Sequence, residues 1–124
     1  MLKEVMEILD QVGYTCKPND QTLIAILIDK ISSDIKSYTN TVEVPAEMHY
    51  DLVLAVAGEL LLIRKGSGQL EIANLRFEGF MSVKEGDTTI TYAEGATDEA
   101  KFSSLIKYMT DWKKKALMFR RLVW

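Results

Sequence analysis

The stretch from Leu52 to Ile63 constrains the fold more than any other part of the sequence. If these twelve residues form a helix, apolar side chains point to every side of it, and only Gly58 and Glu59 interrupt them. Such a helix is stable in water only when neighbouring elements cover it. The stretch is also too short to cross roughly 30 Å of hydrocarbon. We therefore predict a central, enclosed helix and no membrane span.

Apolar residues recur at steps of three and four along most of the chain, which is the periodicity of helices that share a core. The clearest stripe runs from Ile24 to Tyr38, and another runs from Phe102 to Val123. A chain of 124 residues also fits one ordinary domain with a sizeable core. The prediction is a single, mainly α domain over residues 1–124, with helices at about 1–12, 20–38, 45–65 and 97–121.

Residues typical of helix ends agree with these boundaries. Gly13 and the segment Gly66-Ser67-Gly68 follow predicted helices, and glycine adopts the left-handed conformation that helix C-termini often need. Serine, threonine, asparagine, aspartate and proline favour helix starts. Starts are predicted at Asn19 or Asp20, at Pro45 and at Thr97.

One segment before the last helix favours strands instead. Apolar and polar residues alternate there, and a tight turn fits at either Glu85-Gly86 or Gly86-Asp87 without changing which residues share the apolar face. A lone hairpin is barely stable in water. We therefore predict a β-hairpin at about 77–92 that is inserted before the C-terminal helix and needs a contact with another element to be stable. The residues expected at this contact are Phe80, Met81, Val83, Ile90 and Tyr92.

Charge is unevenly distributed along the chain. The 15 basic and 18 acidic residues give a net charge of −3, which argues against a general nucleic-acid coat. From Thr97 onward, seven basic and three acidic residues give +4, which leaves −7 for the first 96 residues. The sequence thus describes a basic terminal segment on an acidic body.

Side chains suited to catalysis are scarce. His49 is the only histidine and Cys16 the only cysteine, so neither a multi-histidine metal site nor a zinc-binding cysteine pair is available. The single thiol also favours a reducing cytosol. Glu59 is either a buried proton carrier or, as we favour, a polar contact at a subunit-facing surface. We expect no enzymatic activity, cofactor or metal.

The last thirteen residues carry more large apolar side chains than a solvated terminus needs. An ordinary core-facing stripe with a solvated basic back explains the first half of the predicted helix. The second half favours a protein-binding surface, in which basic residues seven apart lie opposite the apolar stripe. The candidate interface residues here are Lys107, Trp112, Lys114, Phe119, Arg121 and Trp124.

The order of these elements resembles that of the head-tail connector, or adaptor, proteins of long-tailed bacteriophages and prophages. The similarity covers most of residues 20–95. It lies in Ile35, Tyr38, Asn40 and Pro45 within SDIKSYTNTVEVPAEMHYDLVLAVAGELLLIRKGSG, and in the later segment SVKEGDTTITY. The hairpin is longer than the family's usual loop, and the terminal helix is longer and more basic.

This resemblance implies a structural virion protein, made in the host cytoplasm and placed at the head-tail junction. It implies a ring, by analogy twelvefold, beneath the portal protein and above a tail-side stopper or completion protein. DNA passes through such a ring without specific binding. The basic terminal helix is then expected to face an acidic partner such as the portal.

A second interpretation is a small helical DNA-binding regulator that uses the basic C-terminal helix. Three helices, a hairpin and a basic helix fit that class. However, the third helix is too apolar to lie in a DNA groove, and the hairpin turn places Lys84 beside Glu85 and Asp87. A regulator is expected to bind duplex DNA with strong salt dependence, whereas a connector is not.

Overall fold

The computed structural model describes residues 1–76 and 97–120. Within these ranges the protein is mainly helical, as predicted, and contains no strand. Three short 3₁₀ turns lie at Ala46–Met48, Ile72–Asn74 and Leu117–Phe119. The α-helices are α1 (Leu2–Gln11), α2 (Pro18–Thr39), α3 (His49–Gly66), α4 (Asp98–Thr110) and α5 (Lys113–Ala116).

The central helix α3 packs against α1, α2 and α4, which confirms that it is enclosed by its neighbours. Burying its side chains removes a large apolar area from water, at roughly 25 cal/mol per Å². Two residues near its end, Leu62 and Ile63, remain partly exposed. The buried residues of α3 are Leu52, Val53, Ala55, Val56, Ala57, Gly58, Leu60 and Leu61.

The boundaries of α1, α2 and α3 lie close to those predicted, with corrections at the starts of α2 and α3. This helix begins at Pro18, because proline suits the first helical position, and Lys17 rather than Asn19 or Asp20 is the capping residue. Asp20 lies within the first turn of the helix and accepts a hydrogen bond of 2.8 Å from the Lys17 amide. At α3, Pro45 precedes a 3₁₀ turn, and the α-helix begins only at His49.

The prediction of one continuous terminal helix over 97–121 is wrong. Thr97 does cap α4, since its side chain accepts a hydrogen bond of 3.2 Å from the Ala100 amide. The helix then ends at Thr110, and Asp111 leaves the helical conformation with φ −88° and ψ 65°. The short helix α5 follows, and Arg120 is already extended. The cause is tertiary, because no glycine or proline occurs between Asp98 and Arg120.

The predicted β-hairpin at about 77–92 lies outside the described residues, and so do its five contact residues. It stays a prediction. The chain on its N-terminal side is anchored firmly, because the Arg76 amide donates to the Val12 carbonyl at 2.7 Å. The Arg76 guanidinium also donates to the Asp10 carbonyl at 2.7 Å. The segment after α3 therefore returns to the C-terminal end of α1.

Gly13 makes this return possible. Its φ of +92° lies in the region that favours glycine, and a Cβ at this position would stand 3.1 Å from both the Arg76 nitrogen and the Asn74 oxygen. The turn also satisfies two carbonyl groups at the end of α1, since the Gly13 amide donates to Asp10 and the Tyr14 amide to Leu9. One small residue thus ends α1 and admits the returning chain.

A buried ion pair joins the start of α2 to the end of α3. The Asp20 carboxylate is 1% exposed, and Arg64 donates to it at 2.8 Å from Nε and 2.7 Å from Nη2. The Tyr14 hydroxyl donates to the same carboxylate at 2.7 Å. Gln69 accepts a hydrogen bond of 2.8 Å from the remaining side of the guanidinium. These contacts tie together the ends of α1, α2 and α3.

The surroundings of Asp20 favour its charged form. Burial alone raises the pKa of a carboxyl group, but hydrogen bonds from Lys17, Tyr14 and Arg64, together with the charge of Arg64, hold the pKa of Asp20 below its ordinary value. Burial and the hydrogen bond to Asp20 raise the pKa of Tyr14 to about 12. The cluster is therefore a neutral tyrosine, a carboxylate and a guanidinium at neutral pH.

We predict that Asp20→Asn destabilises the protein by about 3 kcal/mol at neutral pH, because it leaves Arg64 without its buried counter-charge. The folded-state pKa of Asp20 lies below its unfolded value, so its contribution is complete above the unfolded-state pKa and is lost as the pH falls through the folded-state pKa. Urea denaturation at several pH values measures both effects. The matched control is Asp34→Asn, which breaks an exposed pair with Lys30. Equal stability of the two variants would contradict the prediction.

Close contact between α3 and α4 depends on Gly58. A Cβ at this position would lie 3.0 Å from the Met109 Cβ and 3.1 Å from the Thr110 Cγ2. These atoms are near the backbone of α4 and cannot move away easily. Gly58 therefore sets how closely α4 covers the central helix.

Gly58→Ala is expected to be less stable than Gly66→Ala by about 1–3 kcal/mol, the usual range for overpacking. Both substitutions replace glycine by the better helix former, with the larger gain expected in the helix interior at Gly58, but a Cβ at Gly66, the last residue of α3, meets nothing within 4 Å. Thermal unfolding of the two variants and the parent gives the comparison. If Gly58→Ala matched Gly66→Ala, the close packing would be unimportant for stability.

Candidate interaction surface

Residues 112–120, which we call the terminal arm, turn away from the axis of α4 and pack across the body. The turn places Trp112 against Tyr38 of α2, with ring centroids 5.6 Å apart and an angle of 87° between the planes. Edge-to-face aromatic pairs of this kind contribute about 0.5–1.5 kcal/mol beyond the area they bury. Tyr38 is thus the residue of α2 that binds the start of the arm, through Trp112.

Two cations of the arm lie over the same aromatic pair. The Arg120 guanidinium is 5.3 Å from the centre of the Tyr38 ring, and the Lys113 ammonium is 5.9 Å from the centre of the Trp112 ring. Both distances are within the range of cation–π attraction. Of these two contacts, only the one between Arg120 and Tyr38 joins the arm to the body, because Lys113 and Trp112 both belong to the arm.

The middle of the arm is attached to the start of α3. The Lys115 ammonium lies 3.0 Å from the Asp51 carboxylate. Ala116 of the arm is fully buried, and Phe119 packs against the core. One side of α5 therefore faces the body, although the helix is only four residues long.

Exposed apolar side chains occur both on the arm and on the loop that joins α2 to α3. Met118 is 79% exposed and Leu117 is 56% exposed. Val42 of the loop is 92% exposed and lines the same groove as Met118. We call Val42, Leu117 and Met118 the arm-end patch. An exposed group of this kind is typical of a surface that another protein covers.

The groove next to the patch lies between the loop and the arm. Residues Thr41–Glu47 form one wall, and Met118, Phe119 and Arg120 form the other. Asn40, just before the loop, adopts a left-handed conformation with φ 54°, and the Thr41 amide donates to the Lys36 carbonyl at 3.1 Å. This helix end fixes the direction in which the loop leaves α2.

Four of the candidate interface residues predicted from the sequence can be placed. Trp112 and Phe119 are half-buried in the arm, whereas Lys107 and Lys114 are exposed. The prediction that basic residues seven apart share one face of a continuous helix is wrong, because the break after Thr110 puts Lys107 and Lys114 on different helices. The remaining candidates, Phe80, Met81, Val83, Ile90, Tyr92, Arg121 and Trp124, lie outside the described residues.

Sequence reasoning misses three residues that shape this surface. Periodicity places Tyr38 in the core stripe of α2, yet this residue also contacts Trp112 of the arm. The prediction of a continuous helix selects Arg121 as an interface residue, whereas in the structure its neighbour Arg120 contacts the Tyr38 ring. Val42 lies in the connector between α2 and α3, where no helical periodicity exists that could predict its exposure.

The residues considered for catalysis have structural partners. Both Glu4 carboxylate oxygens lie 2.9 Å from His49 Nε2. Burial, together with the charges of Asp20 and Asp10, raises the pKa of the Cys16 thiol, which disfavours the reactive thiolate. Glu59 is half-buried and lines a groove with Tyr38 and Trp112.

The described ranges offer neither a cluster of metal ligands nor a helix suited to a membrane. Residues 1–76 and 97–120 contain no group of three or more histidine, cysteine, aspartate or glutamate side chains that could hold a metal ion. None of the helices in the same part of the chain is long and apolar enough to cross a membrane.

Comparison with known proteins found no matching family model, no matching curated protein and no matching solved structure.

We predict that Trp112→Ala destabilises the protein by about 2 kcal/mol, less than a fully buried tryptophan, because it removes the half-buried ring that seats the arm. Trp112→Phe keeps an aromatic edge against Tyr38 and is the matched control. Guanidinium denaturation followed by far-UV circular dichroism measures both variants. If both substitutions lowered the free energy of unfolding equally, the edge-to-face contact of Trp112 with Tyr38 would not be what holds the arm.

Proposed function

We propose that this chain is a structural subunit of the head-tail connector of a long-tailed bacteriophage or prophage. It assembles as a ring beneath the portal protein, by analogy twelvefold, and joins the portal to a tail-side stopper or completion protein. DNA passes through the ring. The proposal starts from the resemblance in residues 20–95, and the arm-end patch is the structural observation that supports it best.

The arm-end patch supports a role in assembly because its three apolar side chains are largely exposed. Val42, Leu117 and Met118 are more than half exposed, and the neighbouring groove is open. A subunit of a ring needs at least two different contact surfaces, because each copy touches one neighbour on either side. Leu62 and Ile63, at the other end of α3, are a second exposed apolar pair.

The charge distribution supports a channel wall better than a DNA-binding surface. The first 96 residues carry a net charge of −7, and acidic groups repel phosphates and let the polymer slide. The basic residues of the arm are partly engaged, since Lys115 pairs with Asp51 and Arg120 lies over Tyr38. Lys107 and Lys114 are exposed and suit an acidic partner such as the portal.

The predicted hairpin at about 77–92 has a place in this proposal. Asp98, which follows it, lies near the end of α3, because Lys65 pairs with the neighbouring Glu99 at 3.0 Å. Arg76, which precedes it, is bonded to Val12 at the end of α1. A hairpin there would pack on its own helices or on the next subunit. Its apolar residues, Phe80, Met81, Val83, Ile90 and Tyr92, are the side chains that we expect at that contact.

The test is the solution mass over a wide concentration range, by light scattering after size exclusion, with duplex DNA added in parallel at low and moderate salt. We expect a ring, or a monomer that ignores DNA. A ring should weaken when Val42, Leu117 and Met118 are replaced by serine. The matched control is Ile26→Ser, since Ile26 is 58% exposed but lies on α2, three turns before Tyr38.

A dimer that shifts onto DNA at low salt would instead favour the DNA-binding regulator and contradict the ring. If the parent is monomeric, the same variants are tested for binding to the portal protein from the same genome. Portal binding that the parent shows and the triple serine variant loses would support the proposal. Unchanged binding by a well-folded triple variant would count against it.

A further inference from the structure

The break between α4 and the terminal arm has no strong helix breaker at it in the local sequence. Apolar residues continue at helical steps across it, from Ile106 and Met109 through Trp112 to Ala116 and Phe119. No glycine or proline interrupts the segment, and Asp111 is not in the left-handed conformation that commonly ends a helix. The same residues are therefore compatible with one straight helix.

What bends the chain is the surface on which the arm lies. Trp112 and Arg120 contact the Tyr38 ring, Lys115 pairs with Asp51, and Ala116 is buried. Within the helix itself, the Thr110 hydroxyl donates to the Ile106 carbonyl at 2.8 Å, a bond that favours bending but does not end a helix. The arm is thus held by side-chain contacts with the body.

Every copy of the chain presents the same receiving surface. Tyr38, Asp51 and the loop Thr41–Glu47 belong to the body, and the groups that they bind belong to the arm. The arm of a second copy therefore makes the same interactions with equal geometry. Exchange of identical elements between copies is a low-cost route to oligomers, because every interaction that breaks within one chain forms again between two chains.

We propose that the terminal arm exchanges between copies of this chain. Straightening at Asp111 and Trp112 joins α4 to α5 and extends α4 by six residues, to Ala116, or roughly 9 Å, at 1.5 Å per residue. The extended arm then packs on Tyr38, Asp51 and Thr41–Glu47 of a neighbouring copy, while that surface in its own chain receives another arm. Repeated around a closed circle, the exchange gives a ring, and between two copies it gives a reciprocal dimer.

Exchange also brings a second chain close to the arm-end patch. Leu117 and Met118 travel with the arm, and Val42 stays with the receiving body. Exchange requires only a second copy of the chain and does not depend on the head-tail assignment. A dimeric regulator with exchanged arms would refute the connector and leave the exchange intact.

The first experiment detects contact between the arm of one chain and the groove of another. One chain carries Met118→Cys with Cys16→Ser, and a second, differently tagged chain carries Val42→Cys with Cys16→Ser. Both new cysteines are at highly exposed positions, so the fold should be retained. The chains are mixed at high concentration, left to equilibrate and oxidised gently. The matched control replaces Met118→Cys by Lys107→Cys, an exposed residue of α4 before the break.

We expect a disulfide between the arm chain and the groove chain at several times the yield of the Lys107 control, increasing with concentration before oxidation. A yield no higher than the control, at concentrations where light scattering shows oligomers, would overturn the proposal. A chain that remains monomeric at every accessible concentration would overturn it equally.

The second experiment distinguishes arm exchange from an oligomer in which each arm stays on its own chain and the grooves of two chains lie against each other. Asp111→Ala favours the straight helix, and the difference in helix propensity corresponds to about a threefold gain for each exchanged arm. Asp29→Ala makes the same chemical change on the exposed side of α2 and is the matched control. Exchange requires that Asp111→Ala raises the disulfide yield and the oligomer fraction while Asp29→Ala changes neither. Equal behaviour of the two variants would mean that the arm stays on its own chain.

Discussion

The need to cover α3 from Leu52 to Leu61 is the constraint on which the rest of this structure depends. A helix that is apolar around its circumference is stable only inside a layer of other elements, and α1, α2 and α4 supply that layer. Gly58 shows how tight the arrangement is, because Met109 and Thr110 of α4 occupy the space that a side chain would need. The other helices are therefore positioned by the surface of α3.

The two ends of this bundle are held by different physical means. Where α3 terminates, a buried carboxylate, a guanidinium and a tyrosine hydroxyl lock three helix ends together at Asp20. Where α3 begins, the terminal arm is attached by an aromatic edge, one cation–π contact and the partly exposed pair of Lys115 and Asp51. A buried pair is costly to break, whereas exposed pairs contribute little. The arm end is accordingly the end better suited to change partners.

This difference bears on both proposals. A connector subunit must fold before it finds its neighbours, and the locked end together with the core around α3 supports that. It must then form contacts with other chains, and the arm-end patch with Val42, Leu117 and Met118 supplies exposed apolar area. An arm that moves from its own body to the next would form ring contacts without adding a new kind of interaction.

The sequence alone determined the helical class, the enclosed position of α3 and most helix boundaries, because these follow from local periodicity and from residues such as Gly13 and Thr97 that favour helix ends. Tertiary structure alone decided where the last helix ends. The apolar pattern continues past Thr110, but packing of Trp112 on Tyr38 and burial of Ala116 favour the bend. It also decided that Asp20 bonds to Arg64, which is 44 residues away, and that Val42 lies beside Met118. Periodicity reports which side of an element is apolar, but it carries no information about which distant residue meets that side.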